Sequence, residues 1–327
     1  MKKRVFAFAL ALVALLFCAC SEEEQYSPIA STPEEAREVA RVGGHSVFYD
    51  ELRFVAVNSR EGISNMYGVD WSDPSQAAEY ADELEESVWS SLVRNYAVFE
   101  LFEEAYEDSS QFDEQITEQI VSIVESCGGM DGYRAYLAEN CLTDRLVRFN
   151  LTVSFMEFEL LSYYTDLLGI IDGSEAALAD FFFGDDTAHV MHICLDGTDE
   201  ATAALAAELC DRIESGEDVF ELAAEYSTDF EAIGEGGEYI IRGDYVKEYE
   251  EVAFSLYVGE AEHVTVGDST YVICALEKDM AYFTENYDEV YYGYVYSELD
   301  KIIERQCDKM SIEKTELGAS LDLVDIK

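Results

Sequence analysis

Apolar and polar positions change their period twice along the chain. From about residue 36 to 183 the apolar residues return at helical spacing. The stretch "AREVARVGGHSVFYDELRFVAVNSRE" opens this part with a short strand, a Gly43-Gly44 turn, a second short strand and a helix that starts near Tyr49. Over 77–102, Leu84, Val88, Leu92 (or Trp89), Tyr96 and Phe99 share one helical face; over 143–168, Leu146, Phe149, Val153, Met156, Leu160 and Tyr164 do the same. Shorter helices are predicted over 112–125, over "DGYRAYLAEN", and over 175–182, where Ser174 supplies a cap.

At Gly184 the period becomes two, and "AHVMHICL" alternates as a strand does. Helices over 200–214 and 219–225 follow. The glycine-punctuated "YSTDFEAIGEGGEYIIRG" reads as a loop. Next come a helix over 245–254 and two short strands around a Gly267-Asp268 turn. Helical spacing resumes over 286–309, and "ELGASLDLVDIK" ends the chain as a strand-like tail. The fold class expected is α+β. A mostly helical part, 36–183, is completed by a C-terminal helix and tail, 281–327, that pack with it; a small mixed domain, 184–280, is inserted between them.

Charge narrows the partners. Against 20 Lys and Arg stand 70 Asp and Glu, a formal charge of -50. Nucleic acid is excluded as a partner, because phosphate contacts need basic patches. Cationic partners are favoured instead. The 22 Tyr and 18 Phe argue for packed cores rather than disorder.

The first residues read as a targeting segment. Lys2, Lys3 and Arg4 precede an apolar run from Val5 to Phe17, shorter than the roughly 20 residues that span a bilayer. Ala19-Cys20 then resembles a bacterial lipobox. The expectation is a lipoprotein signal peptide over 1–19, lipid on Cys20, and a polar tether over 20–35. The chain would then sit lipid-anchored on the extracytoplasmic face of the cell membrane.

Six further cysteines, Cys127, Cys141, Cys194, Cys210, Cys274 and Cys307, show no zinc spacing. Spacing names no disulfide pair, and most read as small buried hydrophobes. Neither a metal nor a cofactor is implied. Scattered carboxylates lack the spacing of a calcium loop, so a cation-binding surface is the weakest of the functional readings. Histidine is confined to His45, His189, His192 and His263. His189 and His263 read as strand-edge residues, and His192 is open to a catalytic or a core role.

Residues 188–278 resemble a parvulin-type prolyl isomerase domain. "AHVMHICL", "AAELCDRIESGEDVFELAAEYSTD", Gly236-Gly237, "RGDYVKEYEEVAF" and "VGE" carry the likeness in order. The resemblance implies a four-stranded antiparallel sheet flanked by helices. The flanks are similar to PrsA-like and SurA-like extracytoplasmic foldases, on "RVGGHSVFYDELR" and the lipobox.

The resemblance also implies a site. His192 matches the first of two histidines behind it, Asp229 the polar group near the substrate carbonyl, and Ser269 a polar residue at the last hairpin. Tyr239, Tyr245 and Tyr249 match the cup that holds the proline ring. The second histidine is expected in "TYVICALE", at the position of Val272. The acidic "DGTDE" after the first strand is unsuited to phosphoserine-proline, because a dianion would meet Asp196, Asp199 and Glu200.

Two functions follow as expectations. One is a membrane-anchored foldase that isomerises X-Pro bonds in unfolded exported proteins, basic ones in particular. The other is a non-catalytic holdase with a degenerate parvulin domain. Val272 and the three tyrosines favour the holdase; Asp229 and Gly236-Gly237 favour the isomerase.

Overall fold

The computed structural model describes residues 26–106, 109–230 and 236–326. The signal peptide, Cys20 and the start of the tether lie outside the described residues.

In chain order, β1 (Glu38–Val42) and β2 (His45–Phe48) form a hairpin, followed by α1 (Tyr49–Tyr67), α2 (Pro74–Glu79), α3 (Ala81–Ala105), α4 (Asp113–Ser126), α5 (Met130–Glu139) and α6 (Asp144–Ser162). After a π-helical turn, Tyr163–Leu167, come α7 (Glu175–Phe183), β3 (Thr187–Asp196), α8 (Glu200–Glu214), α9 (Val219–Tyr226) and β4 (Glu238–Ile241). The rest is α10 (Lys247–Ala253), β5 (Ala261–Val266), β6 (Ser269–Ala275), α11 (Met280–Glu285), α12 (Tyr287–Cys307), β7 (Ile312–Lys314) and α13 (Glu316–Ser320).

Short side-chain oxygens set the helix starts. Asp73, Thr143, Ser174, Asp199, Asp218, Asp279 and Thr315 each accept a backbone N–H in the first turn that follows them. A cap of this kind stabilises a helix by about 1 kcal/mol. Part of the acidic composition is therefore capping chemistry. At Gly43 and Gly44, φ is +56° and +91°, the two left-handed residues that a tight hairpin turn demands.

Two compact units are present. One comprises Asn65–Gly68 and Asp172–Tyr296. The other, among the described residues, comprises 26–64, 69–171 and 297–326. In the latter, α3 packs on α6, with the Phe149 ring 5.6 Å from that of Tyr96 and 5.4 Å from that of Phe99, and Leu84, Val88, Leu92, Met156 and Leu160 are buried. Asp50 and Glu51 in the first turn of α1 are buried as well. The Arg145 guanidinium bonds both carboxylates, Thr143 donates to Asp50 at 2.7 Å, and the Tyr96 hydroxyl donates to Glu51 at 2.7 Å. Burial still raises the Glu51 pKa, with Arg145 and Tyr96 opposing it. The sheet of this unit has the order β2-β1-β7, and Arg41 is paired with Glu313.

The other unit holds a four-stranded antiparallel sheet of order β4-β3-β6-β5, with α8 and α9 against one face and α10 against the other. This is the α+β class expected, with the expected four strands. The unit also takes in α7 and α11, because Phe182 packs against Tyr239, Tyr282 and Phe283.

Three local expectations need correction. The stretch read as a loop contains β4, whose Ile240 is buried and pairs with Ala188; its glycines hid a strand of only four residues. The C-terminal tail is not a strand: α13 occupies 316–320, and the strand is the preceding Ile312–Lys314. Helical structure also resumes earlier than expected, with α11 capped by Asp279.

Candidate active site

The pleat of β3 decides which side chains meet. Successive residues of a strand point to opposite faces. Met191, Ile193 and Leu195 join Val272 and Cys274 in the apolar layer under α8 and α9. Val190 and Cys194 join Tyr271, Ile273, Ile240, Tyr245 and Tyr249 on the other face. His192 lies between Val190 and Cys194 and is paired across the sheet with Ile273.

His192 is 4% exposed, and both its ring nitrogens are engaged. Nδ1 lies 3.1 Å from the Tyr249 hydroxyl, and Nε2 lies 3.3 Å from the Asp229 carboxylate. Burial lowers the His192 pKa, and Asp229 only partly opposes this. Burial likewise raises the Tyr249 pKa, so its hydroxyl keeps its proton. One tautomer satisfies both contacts: Nε2–H donates to Asp229, and Nδ1 accepts from Tyr249.

Asp229 is held from below. Ser227, buried, accepts the N–H groups of Cys194 at 3.0 Å and of Asp229 at 3.2 Å, and donates to the Asp229 carbonyl at 2.8 Å. The Thr228 N–H bonds the Cys194 carbonyl at 2.8 Å. The turn after α9 is thus pinned to β3, with the Asp229 side chain 42% exposed above a buried imidazole.

The remaining expected residues divide. Tyr245 and Tyr249 lie on the His192 face and stack at 4.9 Å, but they are 3% and 1% exposed. They fill the site's floor rather than line an open cup. Tyr239 is on the opposite face: paired with His189, it stacks on that ring at 4.0 Å and on Tyr282 at 3.9 Å, and its hydroxyl accepts the Asp279 N–H. Ser269 pairs with Asp196 at the far end of β6, and the His192 nitrogens are taken by Tyr249 and Asp229.

Val272 is also misassigned. It faces the α8–α9 layer, fully buried, and Tyr271 stands on the His192 face. The Tyr271 ring lies 5.5 Å from that of His192, edge to face, opposite Cys194. A shift of one residue in register exchanges the faces, which is the error in the expectation. Sequence reasoning also missed Ser227, Glu238 and Cys194. Glu238 is hydrogen-bonded to the Tyr245 hydroxyl, and Cys194 to Tyr271. The alternation of "STYVICA" carried a signal for Tyr271; Ser227 carried none beyond its place at the end of α9.

Chemically, the site offers one half-exposed carboxylate, a neutral imidazole behind it and a wall of phenols. Among the described residues, no group of three or more His, Cys, Asp and Glu side chains is placed to hold a metal ion. All six cysteines outside the N-terminal segment are free.

The fold and site define a domain of the peptidyl-prolyl isomerase type, and residues 182–279 match the PPIC-type PPIASE domain family. The chain is 27% identical over 185 residues to the foldase protein PrsA of Oceanobacillus iheyensis, covering 56% of this chain and 57% of that protein. It is 26% identical over 279 residues to the PrsA of Caldanaerobacter subterraneus subsp. tengcongensis, covering 80% and 78%. The alignment thus spans little more than half the length of the first relative. Among solved structures, the peptidylprolyl isomerase PrsA of Bacillus anthracis aligns with 67% of this chain and 96% of its own, at 16% identity and a TM-score of 0.37. The chain is PrsA-like, with a parvulin-type domain inserted in its sequence.

Proposed function

We propose that this protein is an extracytoplasmic foldase, anchored to the cell membrane by lipid on Cys20, that catalyses cis–trans isomerisation of X-Pro bonds in unfolded exported proteins. Its working part is the domain 184–280. The observation that carries the reading is the hydrogen bond between buried His192 and half-exposed Asp229 at 3.3 Å, inside a stretch that matches the PPIC-type PPIASE family.

Rotation about an X-Pro bond is slow because amide resonance must be broken, at a cost of about 20 kcal/mol. Resonance also places extra negative charge on the carbonyl oxygen. A fixed carboxylate beside that oxygen raises the energy of the planar amide more than that of the twisted one, and only such a difference accelerates the reaction. In this reading Asp229 is the catalytic residue. His192, Tyr249 and Ser227 are positioning residues that fix its place, and no bond is made or broken.

A protease-coupled assay on proline peptides tests this. Turnover above the uncatalysed rate is expected, with Asp229→Ala lowering it toward background. Turnover at background in the parent protein rejects the catalytic reading. The holdase reading then stands; its support is the burial of Tyr245 and Tyr249 where an open cup was expected. The anchor is tested separately: Cys20→Ser should release the protein from the membrane fraction, and unchanged retention refutes it.

A further inference from the structure

We propose that the groove between the start of α3 and β7 binds an extended cationic segment of polypeptide, which adds as a strand to the free edge of β7. The groove belongs to the other compact unit and holds none of the isomerase residues, so the inference is independent of the catalytic reading.

The groove is open, about 460 Å³, and lined by Asp82, Glu85, Glu86, Trp89, Ile312 and Lys314. Three carboxylates face one ammonium. Lys314 is already bound to Glu85 and lies over the Trp89 ring at 4.7 Å. The surplus negative charge selects a basic ligand.

One wall is a strand edge. In the order β2-β1-β7, β7 pairs with β1 alone among the described strands, and its three residues are exposed. Gly43 donates to the Ser311 carbonyl, Thr315 donates to the Val39 carbonyl, and Arg41 is opposite Glu313. Antiparallel ladders alternate residues that bond inward and outward. Residues 311, 313 and 315 therefore bond inward to β1. Ile312 and Lys314 turn their main-chain N–H and C=O outward, and the same two residues line the groove. An unpaired edge of this kind is the usual template for strand addition.

A second, independent observation points to a ligand. Trp89 is 7% exposed, and its indole N–H is buried without a hydrogen-bond partner. A buried donor is ordinarily satisfied. The N–H has no accessible surface as it stands, so a small turn of the ring toward the groove on binding would bring it to a peptide carbonyl, an acceptor of the kind it lacks. The exposed Ile312 side chain offers an apolar contact beside it.

The protein's two tryptophans make the test direct. Trp71 donates to Ser64 Oγ at 2.8 Å and is not part of the groove. In full-length protein carrying Trp71→Phe, emission reports on Trp89. The probe is a short blocked peptide alternating lysine and valine, titrated at low salt. Saturable change in Trp89 emission is expected. Binding should weaken about tenfold or more when lysine is replaced by glutamate, when alternate peptide nitrogens are methylated, or when Glu85→Gln and Glu86→Gln are combined. Ile312→Pro removes an outward N–H while leaving the β1 ladder, and should weaken binding similarly. The N-methylated peptide makes the same test if that variant does not fold. Unchanged Trp89 emission, or equal affinity for the basic, acidic and N-methylated peptides, overturns the proposal. Isomerase turnover is not read, so loss of one activity is distinguishable from loss of the other.

Discussion

Placing a histidine at Val272 or at Tyr271 separates two strand registers that differ by one residue. Val272 is fully buried against Met191, Ile193, Leu209 and Cys274. An imidazole there has more volume than valine; of its cross-strand neighbours, Ile193 and His263, only His263 is polar, and it can meet only one of the two ring nitrogens. Overpacking a core costs about 1–3 kcal/mol, and an unmet buried hydrogen-bonding group about 1–3 kcal/mol more. Val272→His should therefore destabilise the parvulin-type unit by several kcal/mol without raising turnover. Tyr271→His puts an imidazole on the face of His192, where the phenol ring is now 5.5 Å away. It trades a larger ring for a smaller one, at a cavity cost of about 1–3 kcal/mol, and places a second histidine beside His192. Turnover should hold or rise. Both tryptophans lie outside this unit, so stability is best read from hydrogen exchange of the β3 and β6 amides, with turnover measured in parallel. If Val272→His keeps its protection and gains turnover while Tyr271→His gains none, the register argument is wrong.

Tyr249→Phe should leave the His192 Nδ1 without its donor, lowering stability by about 1–3 kcal/mol and turnover with it; exchange protection and turnover both equal to the parent's would show that the 3.1 Å contact does not position the ring. Burial lowers the folded-state pKa of His192 below its ordinary 6.5, so the unfolded chain takes the proton first. This histidine's cost to stability is absent well above pH 6.5 and grows as pH falls through 6.5 toward the lower folded value. A melting series compared with His192→Asn should show that slope only in the parent. At Gly237, φ is +102°, and an added Cβ would meet Leu276, His189 and the Val190 carbonyl at 2.6–2.9 Å. Gly237→Ala should cost about 1–3 kcal/mol and fray β4, visible as lost exchange protection at Ile240.

Much of this protein is legible from short windows. The helix faces of α3 and α6, the glycine hairpin before α1, the capped start of α7 and the strand "AHVMHICL" each follow from periodicity and turn chemistry within about a dozen residues. The type of the inserted domain was also legible, because its pieces keep their order and spacing. Short isolated strands were not: β4, set between glycines, has four residues and β7 three, too few to show alternation against a loop background.

The features legible in the amino-acid order are therefore local: which segments are helices or strands, where most of them start, and which residue types stand near a parvulin-like site. The acid excess is legible as well, a property of composition alone. Which residues meet depends on long-range pairing. His192 and Asp229 are 37 positions apart and touch because Ser227 and Thr228 pin a turn to Cys194. Tyr239 and Tyr249 looked equivalent, yet one lies beside His189 and the other under His192. Val272 and Tyr271 are neighbours on opposite faces. The physical reason is the two-residue period of a strand: alternation shows that a strand has two faces, but only its pairing with β3, set by contacts distant in sequence, says which face holds the site.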